Sequence, residues 1–506
     1  MDTFNDVLLG FATVLEPMNL LFCLIGVVVG MIIGVLPGLG PSATIAILLP
    51  VTYSLEPTGA IIMLAGIFYG AIYGGTITAV LLRLPGEAAS VVTSLDGYPM
   101  ARQGRGGVAM TVAAVASFIG GTASIIVLTL IAPLISSVAV SFGPPEFAVL
   151  TLIGVALVVS VGSGRVSKSV AAAAFGLILA TVGRDELSGE SRFTFGSLEL
   201  IDGFDFVIIA MGVFGLAEIL DNLKAKGEKP PAPIPITQVR PTRAETKQMV
   251  GPIARGGILG FFLGLLPGGG ATLSALVSYA TERSWAKDKS RFGRGAIEGV
   301  AGPETANNAA ATSSFIPLLT LGIPANPAMA MLFGAFLVVG VTPGPNLVNT
   351  DPELFWGVIN SMYIGNIFLI IMAIPLVGVF IKVLSIKPSY LAAICVMVTV
   401  LGVFSLRQSP TDIIWLAVFG ALGYAMKNFG FAPGPLVLAF ILGGILEPAF
   451  RQSMTLFDGN LLGFATRPIS GSLLAVAVLT IAALTVIRLR RRSRGPVLSE
   501  TVLVDD

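Results

Sequence analysis

The stretch Gly30-Met-Ile-Ile-Gly34-Val-Leu-Pro37-Gly38-Leu-Gly40 returns later in the chain as Gly260-Phe-Phe-Leu-Gly264-Leu-Leu-Pro267-Gly268-Gly-Gly270. Both copies sit in otherwise apolar sequence. Proline removes a backbone donor and glycine loosens a helix, so each copy is expected to end one helical segment and start another. Inside a bilayer, freed backbone groups are tolerated only where they are buried in protein or line a wet cavity. Matched breaks in the two halves of an apolar chain therefore point to the place where such a cavity lies.

Working outward from these copies, the 506 residues are 54% hydrophobic and 12% charged, with a mean hydropathy of +0.89. A soluble chain carries about twice that share of charge. The composition predicts an all-α polytopic membrane protein in a lipid bilayer. A net charge of +1 offers nothing to a nucleic acid. The absence of histidine excludes His-based catalysis and most transition-metal sites. Cys23 and Cys395 lie in apolar runs and read as buried free thiols. The N-terminus carries Asp2 and Asp6 with no basic region, unlike a cleaved signal peptide.

Positive charge sets the topology. No Lys or Arg precedes Arg83, which places the N-terminus and the first break outside. The second break has Lys224, Lys226, Lys229, Arg240, Arg243, Lys247 and Arg255 before it and Arg283, Lys287, Lys289, Arg291 and Arg294 after it, so both its flanks read as cytoplasmic. The intervening 256–281 holds about 26 residues, too few for two full spans. It reads as a re-entrant hairpin with Pro267–Gly270 at its tip, and 18–55 as its counterpart from the opposite face. Each half then comprises a hairpin, an interrupted helix and about four spans. The spans fall near 107–135, 146–162, 168–182 and 204–222 in the first half, and near 354–382, 389–406, 411–426 and 432–447 in the second. The expected organisation is two inverted-topology repeats, 1–223 and 251–452, joined by a cytoplasmic linker at 224–250. Residues 453–506 supply a last helix near 470–487 and a basic cytoplasmic tail from Arg488 to Arg492.

Two groups of residues suggest chemistry. After each tip the chain restarts as a helix, and a helix N-terminus offers unpaired N–H groups and partial positive charge. Gly38, Gly40, Ser42 and Thr44 in one copy and Gly268, Gly269, Gly270 and Thr272 in the other are candidate anion ligands that require no buried cation. Ser274 adds a hydroxyl. The bland alternative is that small residues allow close helix packing. The second group is Thr76 and Thr78, after Tyr73, together with Asn307 and Asn308 in the run beginning at Glu304. Hydroxyl, amide and unwound carbonyl oxygens suit a hard cation such as sodium, and interhelical hydrogen bonding is the plainer reading. Arg83 either clamps a carboxylate bidentately or snorkels to the surface from a helix longer than the bilayer core. Glu87 flanks the same Leu84-Pro85-Gly86 break. Glu218 and Glu447 read as interfacial, and Asp96–Arg102 as a surface turn.

At Leu36–Thr44, Tyr73–Thr76, Leu84–Gly86, Asp96–Ala101, Gly302–Asn308 and Gly322–Pro324 the chain resembles the large transmembrane subunit of the bacterial tripartite tricarboxylate transporter family. The fragments follow family order over about residues 15–460. The family commonly has Asn where this chain has Arg83. The resemblance implies a secondary transporter, not an enzyme, that imports a small carboxylate on a cation gradient, usually sodium, with no cofactor. It implies a small four-helix-type membrane subunit and an extracytoplasmic solute-binding protein as partners, and a bacterial cytoplasmic-membrane location with the C-terminus inside. It would put functional roles on both tips and on Asn307 and Asn308. The competing readings are a passive anion channel on the same fold and a membrane-embedded lipid-modifying enzyme. No paired acidic motif or metal-ligand set supports the enzyme.

Overall fold

Proline opens helix after helix. The computed structural model describes residues 3–36, 38–84, 86–161, 165–185, 187–224, 239–383, 388–475 and 477–479. Many of its helices begin at a proline, where the missing N–H has no intrahelical acceptor to lose. In chain order they are α1 (Thr3–Leu15), α2 (Pro17–Gly34), α3 (Pro41–Leu48), α4 (Pro57–Leu82), α5 (Ser90–Met100), α6 (Gly106–Ala139), α7 (Pro144–Val161), α8 (Val166–Ala180), α9 (Phe206–Ala210), α10 (Ala217–Lys224) and α11 (Arg243–Gly264). They continue as α12 (Gly270–Trp285), α13 (Glu298–Ser313), α14 (Phe315–Leu321), α15 (Pro327–Val338), α16 (Leu347–Thr350), α17 (Pro352–Met372), α18 (Val377–Val383), α19 (Pro388–Arg407), α20 (Pro410–Asn428), α21 (Gly434–Leu456) and α22 (Gly463–Thr466). A two-residue ribbon, Gly183–Arg184 with Ser191–Arg192, is the sheet among the described residues.

Among the described residues, six helical stretches are long and apolar enough to cross a bilayer: Pro17–Gly34, Pro57–Leu82, Ser90–Ala139, Phe206–Leu223, Pro352–Met372 and Gly434–Leu456. The protein is therefore an all-α polytopic membrane protein. The chain divides into two units, Met1–Ser141 with Gly154–Gly443, and Phe142–Ile153 with Gly444–Asp506. Within the smaller unit, Arg467 Nε donates to Glu146 Oε1 at 2.9 Å and Phe464 stacks on Phe450.

The larger unit is organised around two helix pairs. On α2, Gly26, Gly30 and Gly34 lie against α4. A Cβ on any of them would collide with the carbonyl oxygens of Met63, Ile67 and Ala71 in turn. On α11, Gly256, Gly260 and Gly264 lie in the same way against Gly302, Ala306 and Ala310 of α13. Four-residue glycine spacing puts three bare backbone positions on one face, and in lipid such faces pack backbone to backbone. Both receiving helices are sealed: α4 is buried from Gly59 to Leu82 and α13 from Gly299 to Ser313. Their polar side chains therefore face protein.

Several expectations need correction. The segment 243–250 belongs to α11 and not to a linker. Thr242 and Glu245 form a capping box that starts the helix there. Asp96–Arg102 is no surface turn. Asp96 lies in α5 with 0% exposure, and its Oδ1 accepts N–H groups from Gly293, Gly295 and Ala296 at 2.9, 2.8 and 2.8 Å. Tyr279 donates its hydroxyl to Oδ2 at 2.9 Å. Four donors make burial of this carboxylate tolerable. Helix α1 adds an element ahead of the first expected hairpin. Pro37, Pro85, most of the 224–250 linker and the basic 488–492 tail lie outside the described residues, and the expected 470–487 helix is described only as far as 479.

Gly260→Val sets a branched side chain against the Ala306 carbonyl. It is expected to destabilise the purified protein by about 1–3 kcal/mol or more. An unchanged melting temperature in detergent would show that α11 and α13 do not meet along their backbones.

Candidate functional site

The breaks between α2 and α3 and between α11 and α12 line one cavity of about 690 Å³. The first contributes Gly38, Gly40 and Ser42, and the second contributes Gly268, Gly269, Gly270 and Thr272. Both breaks turn on glycine in the left-handed region, with φ of +85° at Gly38 and +80° at Gly268. Two further helix starts, unread in the sequence, line the same space. Asn326-Pro327 opens α15, and Pro433-Gly434-Pro435 opens α21. Asn-Pro and Pro-Gly-Pro ahead of apolar runs are helix-start signals that were there to be read.

Donor accounting separates these four ends. The first turn of a helix leaves its N–H groups without intrahelical acceptors. Pro41, Pro327 and Pro435 each remove one such donor from their helices. The first turn of α12, Gly270-Ala271-Thr272-Leu273, contains no proline and keeps all of its donors. The tip just before it is already engaged: Gly268 N donates to Ala325 O at 2.8 Å and Gly269 N to Leu266 O at 2.9 Å. The open amides therefore begin at Gly270, further into α12 than the tip itself.

Not every expected ligand reaches the cavity. Thr44 is fully buried, and its Oγ1 donates to Gly40 O at 3.0 Å. Ser274 likewise donates to Gly270 O at 2.8 Å. Arg83 is exposed and lies outside the cavity lining, with its guanidinium 6.0 Å from the Tyr98 ring centroid. The 26 residues of α4, at about 1.5 Å each, outrun a bilayer core of about 30 Å, and the side chain ends at the surface. No Lys or Arg stands among the described lining residues. Glu87 does. Glu218 is occupied elsewhere, accepting from Lys427 Nζ at 2.5 Å.

Behind Glu87 lies a buried polar cluster. Glu304, Asn307 and Asn308 share one face of α13, as spacings of three and four residues require. Asn307 Nδ2 donates to Glu87 Oε1 at 3.0 Å. Glu304 Oε1 accepts the hydroxyls of Thr76 at 3.1 Å and Thr93 at 2.5 Å, and its Oε2 accepts that of Ser117 at 3.1 Å. Asn308 Nδ2 donates to Ser117 Oγ at 2.7 Å. Thr78 stays outside this cluster and donates to Gly75 O at 3.2 Å. Asn307 Oδ1 and the Tyr73 hydroxyl are buried without a hydrogen-bond partner. The structure thus brings Thr76, Asn307 and Asn308 together around Glu304. As an ionisable residue in an apolar run, Glu304 was already a sequence signal. Thr93 and Ser117 carried none, because a lone hydroxyl in a helix is commonplace.

Comparison with known proteins agrees with this architecture. Residues 20–438 match the family described as the tripartite tricarboxylate transporter TctA family. The chain is 46% identical, over 97% of its length and 98% of the relative's, to an "uncharacterized 52.8 kDa protein in TAR-I ttuC' 3'region" of Agrobacterium vitis. It is 47% identical to an "uncharacterized protein in TAR-II ttuC' 3'region" of the same organism, over 46% of this chain and 97% of that one. No solved structure matches it. A multi-pass helical chain, matched from its second helix into its last long one, belongs to the tripartite tricarboxylate transporter TctA family of large transporter subunits.

Proposed function

We propose that the chain imports an organic carboxylate across the bacterial cytoplasmic membrane on a cation gradient, with sodium as the coupling ion. The observation that carries this reading is a cavity lined by both helix breaks and by no Lys or Arg among its described residues. In such a space an anion is held by first-turn amides and hydroxyls, above all those of α12, with Ser42 and Thr272 at the two breaks. An anion held by dipoles is released more readily than one locked to a buried guanidinium, and a carrier must release its cargo. The cation takes the oxygen ligands of Thr76, Asn307 and Asn308. A small membrane subunit completes the complex, and an extracytoplasmic solute-binding protein delivers the carboxylate, as the family's tripartite make-up suggests. The two hairpins enter from opposite faces as parts of inverted repeats, the arrangement that underlies alternating access.

Uptake of radiolabelled mono-, di- and tricarboxylates into proteoliposomes, with the cognate binding protein present, tests this directly. Sodium-dependent accumulation above the outside concentration is expected. Flux that runs only downhill and ignores sodium would identify a passive anion channel instead.

Gly40 sits in extended backbone, and a Cβ built there meets nothing within 4 Å. Gly40→Ala is therefore expected to transport normally. Gly40→Phe is expected to fold, reach the membrane and lose uptake, because its ring fills the cavity. Normal uptake by Gly40→Phe would place the substrate elsewhere. Arg83→Asn keeps the left-handed helix end, since φ of 57° suits Asn. It is expected to leave the carboxylate KM within about twofold, well under the tenfold that 1.4 kcal/mol represents. A large rise in KM would return Arg83 to the site.

Cysteines introduced by Ser54→Cys and Ser290→Cys, both exposed positions, are expected to react with an impermeant maleimide from opposite faces of the membrane. Labelling from the same face would contradict inverted hairpins.

A further inference from the structure

We propose that Glu304, with Glu87 beside it, supplies the fixed negative charge of a site for one sodium ion, and that this charge couples the ion to the substrate cavity. The proposal rests on the reading that a cation drives import. It assigns roles to Glu304, Glu87, Thr93 and Ser117, which that reading leaves unused.

Charge balance comes first. Glu304 has 0% exposure and lies on a helix buried from Gly299 to Ser313. Among the described residues its carboxylate meets hydroxyls and no Lys or Arg, and Glu87 meets the Asn307 amide. Buried carboxylates are ordinarily paired with a cation or coordinate one. Hydroxyl donors lessen the cost of this burial but do not cancel the charge.

The donor set comes second. Around Glu304 and Glu87 stand the oxygens of Thr76, Thr93, Ser117 and Asn307, with Tyr73 one turn before Thr76 on α4. Every candidate ligand atom is oxygen, which selects a hard cation over a soft one. Each hydroxyl that now donates to Glu304 keeps lone pairs with which to accept or ligate. Asn307 is 1% exposed and directs its amide at Glu87, yet the carbonyl of that same amide is buried without a partner. A lone buried carbonyl on the amide that binds Glu87, one turn from Glu304, lacks an electropositive neighbour, and a cation provides one. Anion binding would leave it unsatisfied.

Position comes third. Glu87 lines the cavity and holds Asn307, which sits one helical turn from Glu304. An unneutralised Glu87 on the wall repels a carboxylate substrate. A cation held between Glu87 and Glu304 removes that repulsion, so the ion raises substrate affinity and, by reciprocity, the substrate raises ion affinity.

The test uses the purified full chain in nanodiscs without any carboxylate. Binding of radioactive sodium and the sodium-dependent rise in melting temperature are measured in potassium-balanced buffer at fixed pH. Wild type is expected to bind sodium and to gain stability. Glu304→Gln is expected to lose both responses, and Thr93→Ala to weaken sodium binding about tenfold. Should Glu304→Gln fail to fold, Thr93→Ala carries the test. Wild-type sodium affinity in whichever variant folds would overturn the proposal. A wild type indifferent to sodium but stabilised by acid would also overturn it, in favour of a proton. No organic substrate is present, so this result stands apart from success or failure of carboxylate uptake.

Discussion

A peptide group in hydrocarbon must find a partner, and this constraint governs the whole molecule. Helices meet it along their length but not at their ends, so any helix that stops within the bilayer needs protein around its terminus. The chain encloses the breaks after α2 and α11 by pressing those two helices, through bare glycine faces, against α4 and α13, which are buried along nearly their whole length. Gly26, Gly30 and Gly34 serve one pair, and Gly256, Gly260 and Gly264 the other. Larger residues at those positions would separate the helices and open the breaks to lipid.

The same constraint shapes the electrostatics of the cavity. Its described walls carry helix starts, two hydroxyls, one capping amide and one carboxylate, with no basic side chain. Helix ends supply graded positive potential that weakens within a turn, while a buried Lys or Arg would supply a full charge. Glu87 then becomes the informative residue. A negative group on the wall of an anion-binding cavity is tolerable if a cation accompanies the anion, and the polar face of α13 lies directly behind it. On this account the lone acid in the lining and the absent bases are two aspects of one coupling scheme.

The all-helical, membrane-spanning class was legible from composition, and the helix breaks from their proline and glycine repeats, because lipid leaves few ways to satisfy such patterns. The sequence was less informative wherever a signal depended on a distant partner. Asp96 looked like part of a turn, since Gly97 and Pro99 ordinarily end helices. Only the approach of Gly293, Gly295 and Ala296 explains its burial. Arg83 stood next to a break and invited a ligand role, and helix length alone decided where it ended. Ser42 and Thr44 looked alike as ligands, and so did Thr272 and Ser274, yet in each copy the later hydroxyl bonds back to its own helix and the earlier residue lines the cavity. Thr93 and Ser117 acquire meaning only when three helices converge on Glu304. The capping box at Thr242 and the Asn326-Pro327 start were local signals that could have been read without any structure.

The most direct measurement is a cryo-electron microscopy map of the complex in nanodiscs at saturating carboxylate and sodium. Density for the carboxylate is expected between Gly40–Ser42 and Gly270–Thr272, against the first turn of α12. Well-resolved substrate density anywhere else, with those two breaks empty, would contradict it.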